Sequence, residues 1–133
     1  MNDIYIVSGS RTPMGAFQGS LSTMSAVDLG AAAISETINR AGIAPDSVDE
    51  VIMGNVLSAG LRQGPARQAA MDAGIPAGIG ATTINKLCGS GMKATMLSHD
   101  LIAAGTNDVM VAGGMESMTN APYLIAKARG GMR

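Results

Sequence analysis

The sequence predicts an α/β fold with a mostly parallel sheet, and three observations support this prediction. Short runs rich in β-branched residues alternate with longer stretches of helical periodicity, which is the pattern of βαβ units. Gly and Pro residues separate these segments. Hydrophobic residues make up 47% of the 133 residues and charged residues only 14%, which indicates a globular chain with a core of its own.

Four strands are predicted, at residues 3–9, 50–55, 81–85 and 108–112. The first, DIYIVSG, is dense in Ile, Tyr and Val and ends before a loop that contains Pro13. The fourth, DVMVA, is followed by two glycines. Because helical segments separate successive strands, we expect the strands to lie parallel in one sheet.

Three helices are predicted between these strands, at residues 26–40, 66–73 and 92–104. Ser25 and Asp28 match a capping box at the start of the first helix, and Gly42 ends it. Pro65 suits the first position of the second helix. The third helix has apolar or small residues nearly all round, which is typical of a helix buried on both sides. One sheet covers only one side, so we expect the other side to need a layer from outside this chain.

Cys88 is the only cysteine, and it lies between the third predicted strand and the third predicted helix. At a helix start the unpaired backbone N–H groups and the positive end of the helix dipole stabilise an anion, so this position favours a thiolate. The same N–H groups can hold a developing oxyanion. Gly89 and Gly91 leave space beside the sulfur for an acyl group. We therefore predict that Cys88 is a nucleophile.

Two other interpretations of this stretch remain open. A free cysteine is among the most buried residue types, so Cys88 could be a structural core residue. Residues 89–94 also fit the G-x-G-x-x-G/A pattern of a dinucleotide-binding turn, with Glu116 as the acidic residue. This fit is weak, because two strand–helix units precede the turn and Glu116 lies beyond the usual spacing of about 20 residues.

Composition argues against several classes of partner and ligand. The net charge is −1 and the basic residues are scattered, so we expect neither a nucleic acid nor a membrane as partner. No apolar run approaches about 18 residues, and the first residues lack a signal or transit pattern, which predicts a cytoplasmic location. One Cys and one His cannot form a protein zinc site, so we expect no metal.

Four motifs follow one another along the chain: SGSRTPMGAFQGSLS, QGPARQAAM, NKLCGSGMKA and VMVAGGMESMTNAPYL. Together they strongly resemble the thiolase family, most closely its acetyl-CoA acetyltransferases, over essentially all of the sequence. The resemblance implies the thiolase fold, in which two similar halves each contribute a sheet around shared buried helices. The chain would be the N-terminal βαβαβαβ half, with a mostly parallel sheet and a buried helix following Cys88.

The resemblance also implies roles for particular residues. Cys88 matches the family nucleophile, which takes the acetyl group from acetyl-CoA, and its backbone N–H would form part of an oxyanion hole. A second acetyl-CoA would then lose an α-proton and attack the acyl-enzyme to give acetoacetyl-CoA, and the reverse reaction is thiolysis. CoA thioesters are therefore the expected substrates, and no bound cofactor is expected. Gln63 and Arg67 would lie near the subunit interface of a homodimer or tetramer, with the third predicted strand pairing across the two-fold axis.

The chain departs from the family pattern in the groups that accompany the nucleophile. Family members activate it with a His and move the α-proton with a second Cys, both in the C-terminal half, whereas this chain has one of each residue. His99 lies eleven residues beyond Cys88, about 16 Å along a helix, so we expect it to be structural. Thr95 stands where the family usually has an apolar β-branched residue.

These departures predict that the sequence is an N-terminal piece of a thiolase that does not turn over by itself. Residues 1–120 would form a thiolase-like α/β domain that lacks its last strand, and residues 121–133 would begin a loop region. Two other functions stay open: a non-catalytic remnant that acts in subunit assembly, and part of a degradative 3-ketoacyl-CoA thiolase. The residues present do not choose the acyl chain length or the direction of the reaction.

Overall fold

A computed structural model describes residues 3–131 of the chain. Helices and strands alternate along it in the order α1 (Ala26–Ala41), β1 (Glu50–Gly54), α2 (Pro65–Asp72), β2 (Gly80–Ile84), α3 (Ser90–Ala103) and β3 (Met110–Gly114). Short 3-10 turns occupy Pro45–Ser47, Met118–Asn120 and Ala128–Gly130. The three helices and the last three strands therefore lie within a few residues of their predicted positions.

The strands form one parallel sheet in the order β2-β1-β3. Glu50 at the start of β1 pairs with Gly80 on one side and Met110 on the other. Gly54 at its end pairs with Ile84 and Gly114. The predicted parallel α/β architecture is confirmed, with β1 as the buried central strand.

The side chains of β1 alternate between two layers of helix. Val51 and Met53 belong to the main core, where they pack with α1 and α2. The largest completely buried side chains include Ile34 of α1 and Val51. Gly54 lies on the other face, where the first residues of α3 approach it. The sheet therefore separates a core formed with α1 and α2 from the helix that follows Cys88.

The predicted ends of α1 and the predicted Pro at the start of α2 are confirmed, whereas α3 begins at Ser90, two residues before its predicted start. Ser25 caps α1, since its hydroxyl accepts a hydrogen bond from the Asp28 N–H while the Asp28 carboxylate accepts one from the Ser25 N–H. Gly42 ends α1 in the left-handed conformation, with φ of 66°. Pro65 occupies the first position of α2. These ends follow from residues within a few positions of each other, which explains why sequence alone predicts them.

The strand predicted at residues 3–9 is wrong for this structure. The segment pairs with no strand among residues 3–131, and Tyr5, Ile6 and Val7 are 74, 88 and 75% exposed. It lies against α1 instead, where the Ser8 hydroxyl donates to the Thr37 carbonyl at 2.6 Å. The β-forming residues are present, but a strand also requires a neighbour to bond its backbone groups, and no described segment provides one.

In the described part of the chain the third helix is buried on one side, and the expectation that a single sheet leaves its other side without cover is confirmed. Ser90, Ala94 and Ser98 of α3 are buried against the sheet, whereas Met92 and Met96 are 74 and 52% exposed. A single sheet covers only one face of a helix, and the described residues contain no layer over the other face. The exposed face of α3 therefore carries apolar side chains that no part of residues 3–131 covers.

Candidate active site

Cys88 lies in the tight turn formed by residues 86–90, after β2 and immediately before α3. The Gly89 N–H donates to the Lys86 carbonyl and the Ser90 N–H donates to the Leu87 carbonyl, both at 3.1 Å. The Cys88 side chain is free and exposed. The predicted position at a strand-to-helix turn is confirmed, and the alternative of a buried structural cysteine is wrong for this structure.

The hydrogen bonds of this turn leave one backbone donor open. Four N–H groups around Cys88 donate within the turn or to its flanking side chains, those of Lys86, Leu87, Gly89 and Ser90. The Leu87 N–H bonds the Asn85 side-chain oxygen at 3.0 Å. For the Cys88 N–H, residues 3–131 provide no acceptor. This group is therefore available to an external acceptor beside the exposed thiol.

The start of α3 is uncapped. Gly89 occupies the N-cap position, and it has no side chain with which to bond the first N–H groups of the helix. The first intrahelical hydrogen bond is donated by the Lys93 N–H to the Gly89 carbonyl, at 2.9 Å. The N–H groups of Gly91 and Met92, which precede it, therefore have no acceptor within the helix. The positive end of the helix dipole thus lies next to Cys88 without a side chain to neutralise it.

Close packing of glycines holds this helix start against the sheet. A Cβ atom on Gly54 would lie 2.7 Å from the Ser90 carbonyl carbon and 2.8 Å from the Gly91 nitrogen, distances that real Cβ atoms do not reach. A Cβ atom on Gly114 would lie 3.3 Å from the Gly91 Cα. Gly54 and Gly114 end β1 and β3, so the carboxyl ends of two strands support the Cys88 turn directly.

Glu116, which the dinucleotide alternative required as a ribose ligand, is engaged inside the chain. Its carboxylate accepts hydrogen bonds from the Asn55 side chain and the Leu57 N–H, both at 2.9 Å, and from the Val56 N–H at 3.1 Å. The glycine-containing turn also follows β2, an edge strand, rather than the first strand of its unit. Both observations argue against a dinucleotide site.

The other residues singled out from the sequence do not converge on Cys88. His99 is exposed on α3, with its Nδ1 atom 3.2 Å from the Asp100 carboxylate. The Arg67 guanidinium donates to the Ala77 carbonyl at 2.8 Å and thereby holds the loop before β2. Gln63 lines a shallow depression with Arg62 and Gln68. Cys88 is thus separate from that depression, and no contact to His99 or Arg67 supports its thiol.

The electrostatic effects that lower carboxyl pKa values act away from this turn. Backbone N–H groups of Val109 and Asp108 donate to the Asp49 carboxylate and lower its pKa. The Arg40 guanidinium lowers the pKa of Glu36 on α1. Neither carboxylate belongs to the residues around Cys88.

Two further kinds of feature, a metal-binding cluster and a membrane-spanning helix, are absent from residues 3–131. This part of the chain contains no group of three His, Cys, Asp or Glu side chains arranged to hold a metal ion. Nor does any of its helices have the length and hydropathy needed to cross a bilayer.

Sequence reasoning missed two residues that shape the turn. Ser90 is 5% exposed, and its hydroxyl bonds backbone groups of Lys86 and Leu87. Gly54 makes the close approach to α3 described above. The signal for Ser90 was its hydroxyl-bearing side chain between two glycines directly after a candidate nucleophile. No neighbouring residue in the sequence indicates the role of Gly54, because the residue that it contacts, Ser90, lies 36 positions away.

Comparison with known proteins places this geometry in a family. Residues 4–133 match the model of the thiolase N-terminal domain. The crystal structure of the Acat5 thiolase from Ascaris suum in complex with coenzyme A superposes with a TM-score of 0.93 and 43% identity. That alignment covers 95% of this chain and 33% of the Ascaris chain. The predicted thiolase-like fold is confirmed.

Curated relatives are similar over nearly the whole chain. Acetyl-CoA acetyltransferase 2 of Arabidopsis thaliana is 56% identical over 131 residues, covering 98% of this chain and 32% of the relative. The cytosolic acetyl-CoA acetyltransferase of Gibberella zeae is 54% identical over 130 residues, covering 98% of this chain and 33% of the relative. The mitochondrial acetyl-CoA acetyltransferase of Danio rerio is 54% identical over 127 residues, covering 96% of this chain and 30% of the relative.

These alignments bear on length and location as well as family. The chain spans about a third of the length of the curated relatives it matches. Because those relatives include cytosolic and mitochondrial proteins, the cytoplasmic location stays a prediction. The match to the family model extends over all but the first three residues, through every helix and strand described above. On these grounds the chain belongs to the thiolase family.

Proposed function

We propose that this chain is the acyl-accepting part of an acetyl-CoA acetyltransferase, in which Cys88 takes an acetyl group from acetyl-CoA. The observation that carries the proposal is the exposed Cys88 thiol beside its own unpaired N–H, at an uncapped helix start. The names of the relatives and the coenzyme A bound to the Ascaris thiolase support a CoA thioester as the substrate.

The first step needs a sulfur nucleophile and a site for negative charge. The Cys88 sulfur, after loss of its proton to a base or to water, attacks the thioester carbonyl carbon, and the carbonyl electrons move onto oxygen. The Cys88 N–H is a donor for that oxyanion, and the start of α3 stabilises its charge. When the carbonyl re-forms, the bond to the CoA sulfur breaks, and the CoA thiolate leaves and takes up a proton.

The second step is condensation. A second acetyl-CoA loses its α-proton, and the resulting carbanion attacks the acetyl carbon on Cys88 to release acetoacetyl-CoA and the Cys88 thiolate. The reverse sequence is thiolysis of a 3-ketoacyl-CoA, as a degradative thiolase would perform it. Removing the α-proton requires a base, and the one imidazole of the chain, His99, lies about three helical turns from Cys88. We therefore expect these 133 residues alone to accept an acetyl group without turning over.

The proposal is tested by incubating the purified chain with acetyl-CoA, alone and with the C-terminal half of a relative supplied in trans. Intact-mass and peptide mass spectrometry should then detect one acetyl group on Cys88. The adduct should be released by neutral hydroxylamine, because a thioester is cleaved under conditions that leave amides intact.

The matched control is Cys88→Ala, which should give no hydroxylamine-sensitive adduct. Acetylation of lysine side chains would persist in that variant and in hydroxylamine, so it is distinguishable from the proposed thioester. Absence of a Cys88 adduct both alone and in the presence of the C-terminal half would contradict the proposal.

A second candidate function, subunit assembly without catalysis, is favoured by the position of β2. It is an edge strand with one row of backbone groups unpaired within residues 3–131, and Gly80 and Thr82 on it are exposed. Pairing of two such edges would produce the homodimer expected from the family resemblance. Sedimentation analysis of wild type and Cys88→Ser distinguishes the two functions: an unchanged dimer together with no acetylation of the wild type favours assembly alone.

A further inference from the structure

The Ser90 hydroxyl is used in an unusual way for a serine at a helix start. Ser90 is the first residue of α3, and its hydroxyl turns backwards into the preceding turn instead of capping the helix. Its oxygen accepts the Lys86 N–H at 2.8 Å, and its proton is donated to the Leu87 carbonyl at 2.6 Å. One buried side chain that follows Cys88 is thus hydrogen-bonded to the two residues that precede Cys88.

That segment requires such support because its backbone is strained. Leu87 has a φ of 50°, in the left-handed region that side chains other than Gly, Asn and Asp rarely adopt. The Ser90 hydroxyl bonds the Leu87 carbonyl itself, and the Asn85 side chain accepts from the Leu87 N–H. Both bonds favour the strained conformation over an extended one.

The consequence concerns the neighbouring residue. Within residues 86–90, the N–H groups of Lys86, Leu87, Gly89 and Ser90 are all bonded, and the Cys88 N–H is left for an external oxygen. If the turn relaxed, the Lys86 N–H would lose its acceptor, and Cys88 would no longer be held with its thiol and its N–H on one rigid loop.

We propose that Ser90 is a positioning residue for attack on thioesters at Cys88: its hydroxyl holds the strained turn that keeps the Cys88 N–H available to the developing oxyanion. This inference rests on the proposed function and deepens it. Ser90 acts through the turn and does not contact the acyl group. The thioester substrate is that of the proposed function, and the N–H assists only reactions in which a carbonyl oxygen gains negative charge.

The same helix provides a matched control. Ser98 lies two turns further along α3, on the same buried face, and is 6% exposed. In contrast to Ser90, its hydroxyl oxygen has no hydrogen-bond partner in the described part of the chain. Ser90→Ala and Ser98→Ala therefore remove the same buried atom from the same helix, but only the first removes hydrogen bonds to the Cys88 turn.

The test compares two reactions of Cys88 in the 133-residue chain. Thiophenyl acetate, a thioester without the CoA moiety, acetylates the thiol through an oxyanion, whereas iodoacetamide alkylates it without one. Ser90→Ala should lower the acetylation rate by about tenfold, while the alkylation rate changes by less than about twofold. Ser98→Ala and Ser90→Thr, which keeps the hydroxyl, should retain the wild-type ratio of the two rates.

Amide hydrogen exchange gives an independent reading of the turn. The Lys86 amide should exchange faster in Ser90→Ala than in wild type, because its acceptor is gone, and at the wild-type rate in Ser98→Ala. Equal loss of acetylation and alkylation in Ser90→Ala would overturn the proposal, since it would indicate general damage to the fold. An unchanged ratio of the two rates, or a reduced ratio in Ser90→Thr, would also overturn it.

The failure of this inference is distinguishable from failure of the proposed function. A chain that reacts with thiophenyl acetate but never with acetyl-CoA, even beside the C-terminal half, contradicts the proposed substrate and leaves the Ser90 comparison intact. A chain acetylated by acetyl-CoA whose rate ratio does not respond to Ser90→Ala contradicts only the role of Ser90.

Discussion

The starts of α1 and α3 satisfy the same backbone requirement in opposite ways. At α1, Ser25 and Asp28 exchange hydrogen bonds, with the Asp28 carboxylate accepting the Ser25 N–H at 2.8 Å and the Ser25 hydroxyl accepting the Asp28 N–H at 3.1 Å. At α3, Gly89 offers no side chain to the helix and Ser90 bonds the turn before it. Side chains bond two of the N–H groups at the start of α1, whereas no side chain bonds the first N–H groups of α3, which lie beside an exposed thiol.

The difference indicates what each end contributes. A capping box stabilises a helix by about 1 kcal/mol, and at α1 its side chains bond the N–H groups of Ser25 and Asp28. The α3 start forgoes that contribution, and it is held instead by packing, with Gly54 in contact with Ser90 and Gly91. Local hydrogen bonds thus define α1, whereas tertiary contacts support an N-terminus of α3 that keeps its unpaired N–H groups.

The largest expected effect comes from disturbing that packing. Gly54→Ala places a methyl group 2.7 Å from the Ser90 carbonyl carbon and 2.8 Å from the Gly91 nitrogen, so α3 must move away from β1. We expect the free energy of unfolding to fall by about 3 kcal/mol, as measured by urea denaturation. Acetylation of Cys88 should fall with it, because the displaced helix carries the turn.

Gly78→Ala is the control, since a Cβ atom there meets nothing within 4 Å and the backbone φ is not positive. It should change the free energy of unfolding by less than about 1 kcal/mol. Equal stability of the two variants would mean that the α3 start does not depend on its contact with β1.

A smaller effect is expected from opening the start of α1. The side-chain hydrogen bond from Ser25, followed by the bond from the Ser25 backbone, lowers the pKa of Asp28 below its ordinary value of 3.8. The carboxylate therefore stabilises the fold above pH 3.8, and this contribution is lost as the pH falls through the lower folded-state pKa. Asp28→Asn should cost about 1 kcal/mol near neutral pH.

The check is the free energy of unfolding of wild type and Asp28→Asn as a function of pH. The difference between them should shrink as the pH falls below 3.8. Asp72→Asn at the end of α2 is the control, because Asp72 is exposed and accepts no side-chain hydrogen bond within residues 3–131. A difference that stayed constant down to the acid limit would rule out the ionised capping box as its source. Cys88 alkylation should be unaffected by Asp28→Asn.

The smallest effect is expected from closing the start of α3 with a charge. A Cβ atom on Gly89 meets only the Lys86 carbonyl oxygen, at 3.5 Å, so Gly89→Asp fits without displacing the turn. Its carboxylate should stabilise the helix by about 0.5 kcal/mol and slow Cys88 alkylation about threefold, because its charge repels the thiolate that iodoacetamide alkylates.

Gly89→Asn has the same shape without the charge, so iodoacetamide should alkylate it at close to the wild-type rate. Raised salt should diminish the effect of Gly89→Asp and leave Gly89→Asn unchanged. If both variants slowed alkylation equally, the cause would be steric, and the comparison between the two helix starts would lose its electrostatic part.

The parts of the site that sequence could predict are those formed by near neighbours. Cys88 was placed correctly at a strand-to-helix turn, because the apolar run before it and the glycines after it are adjacent to it. The role of the Ser90 hydroxyl was missed, although its partners are only three and four residues away. A left-handed Leu87 is not what a leucine predicts, and it is held by the hydrogen bonds that the Ser90 hydroxyl and the Asn85 side chain make to its backbone.

The sequence by itself determined the positions of the helices, both ends of α1, the alternation of strands and helices, and the position of the one thiol. These features depend on hydrogen bonds and side-chain periodicity within a few residues, which any chain with this sequence experiences. Tertiary structure decided which strands pair, so residues 3–9 remained outside the sheet despite their β-branched side chains. It also decided that the Cys88 N–H has no acceptor within residues 3–131, because packing of α3 brings the buried Ser90 hydroxyl to the backbone of Lys86 and Leu87 instead.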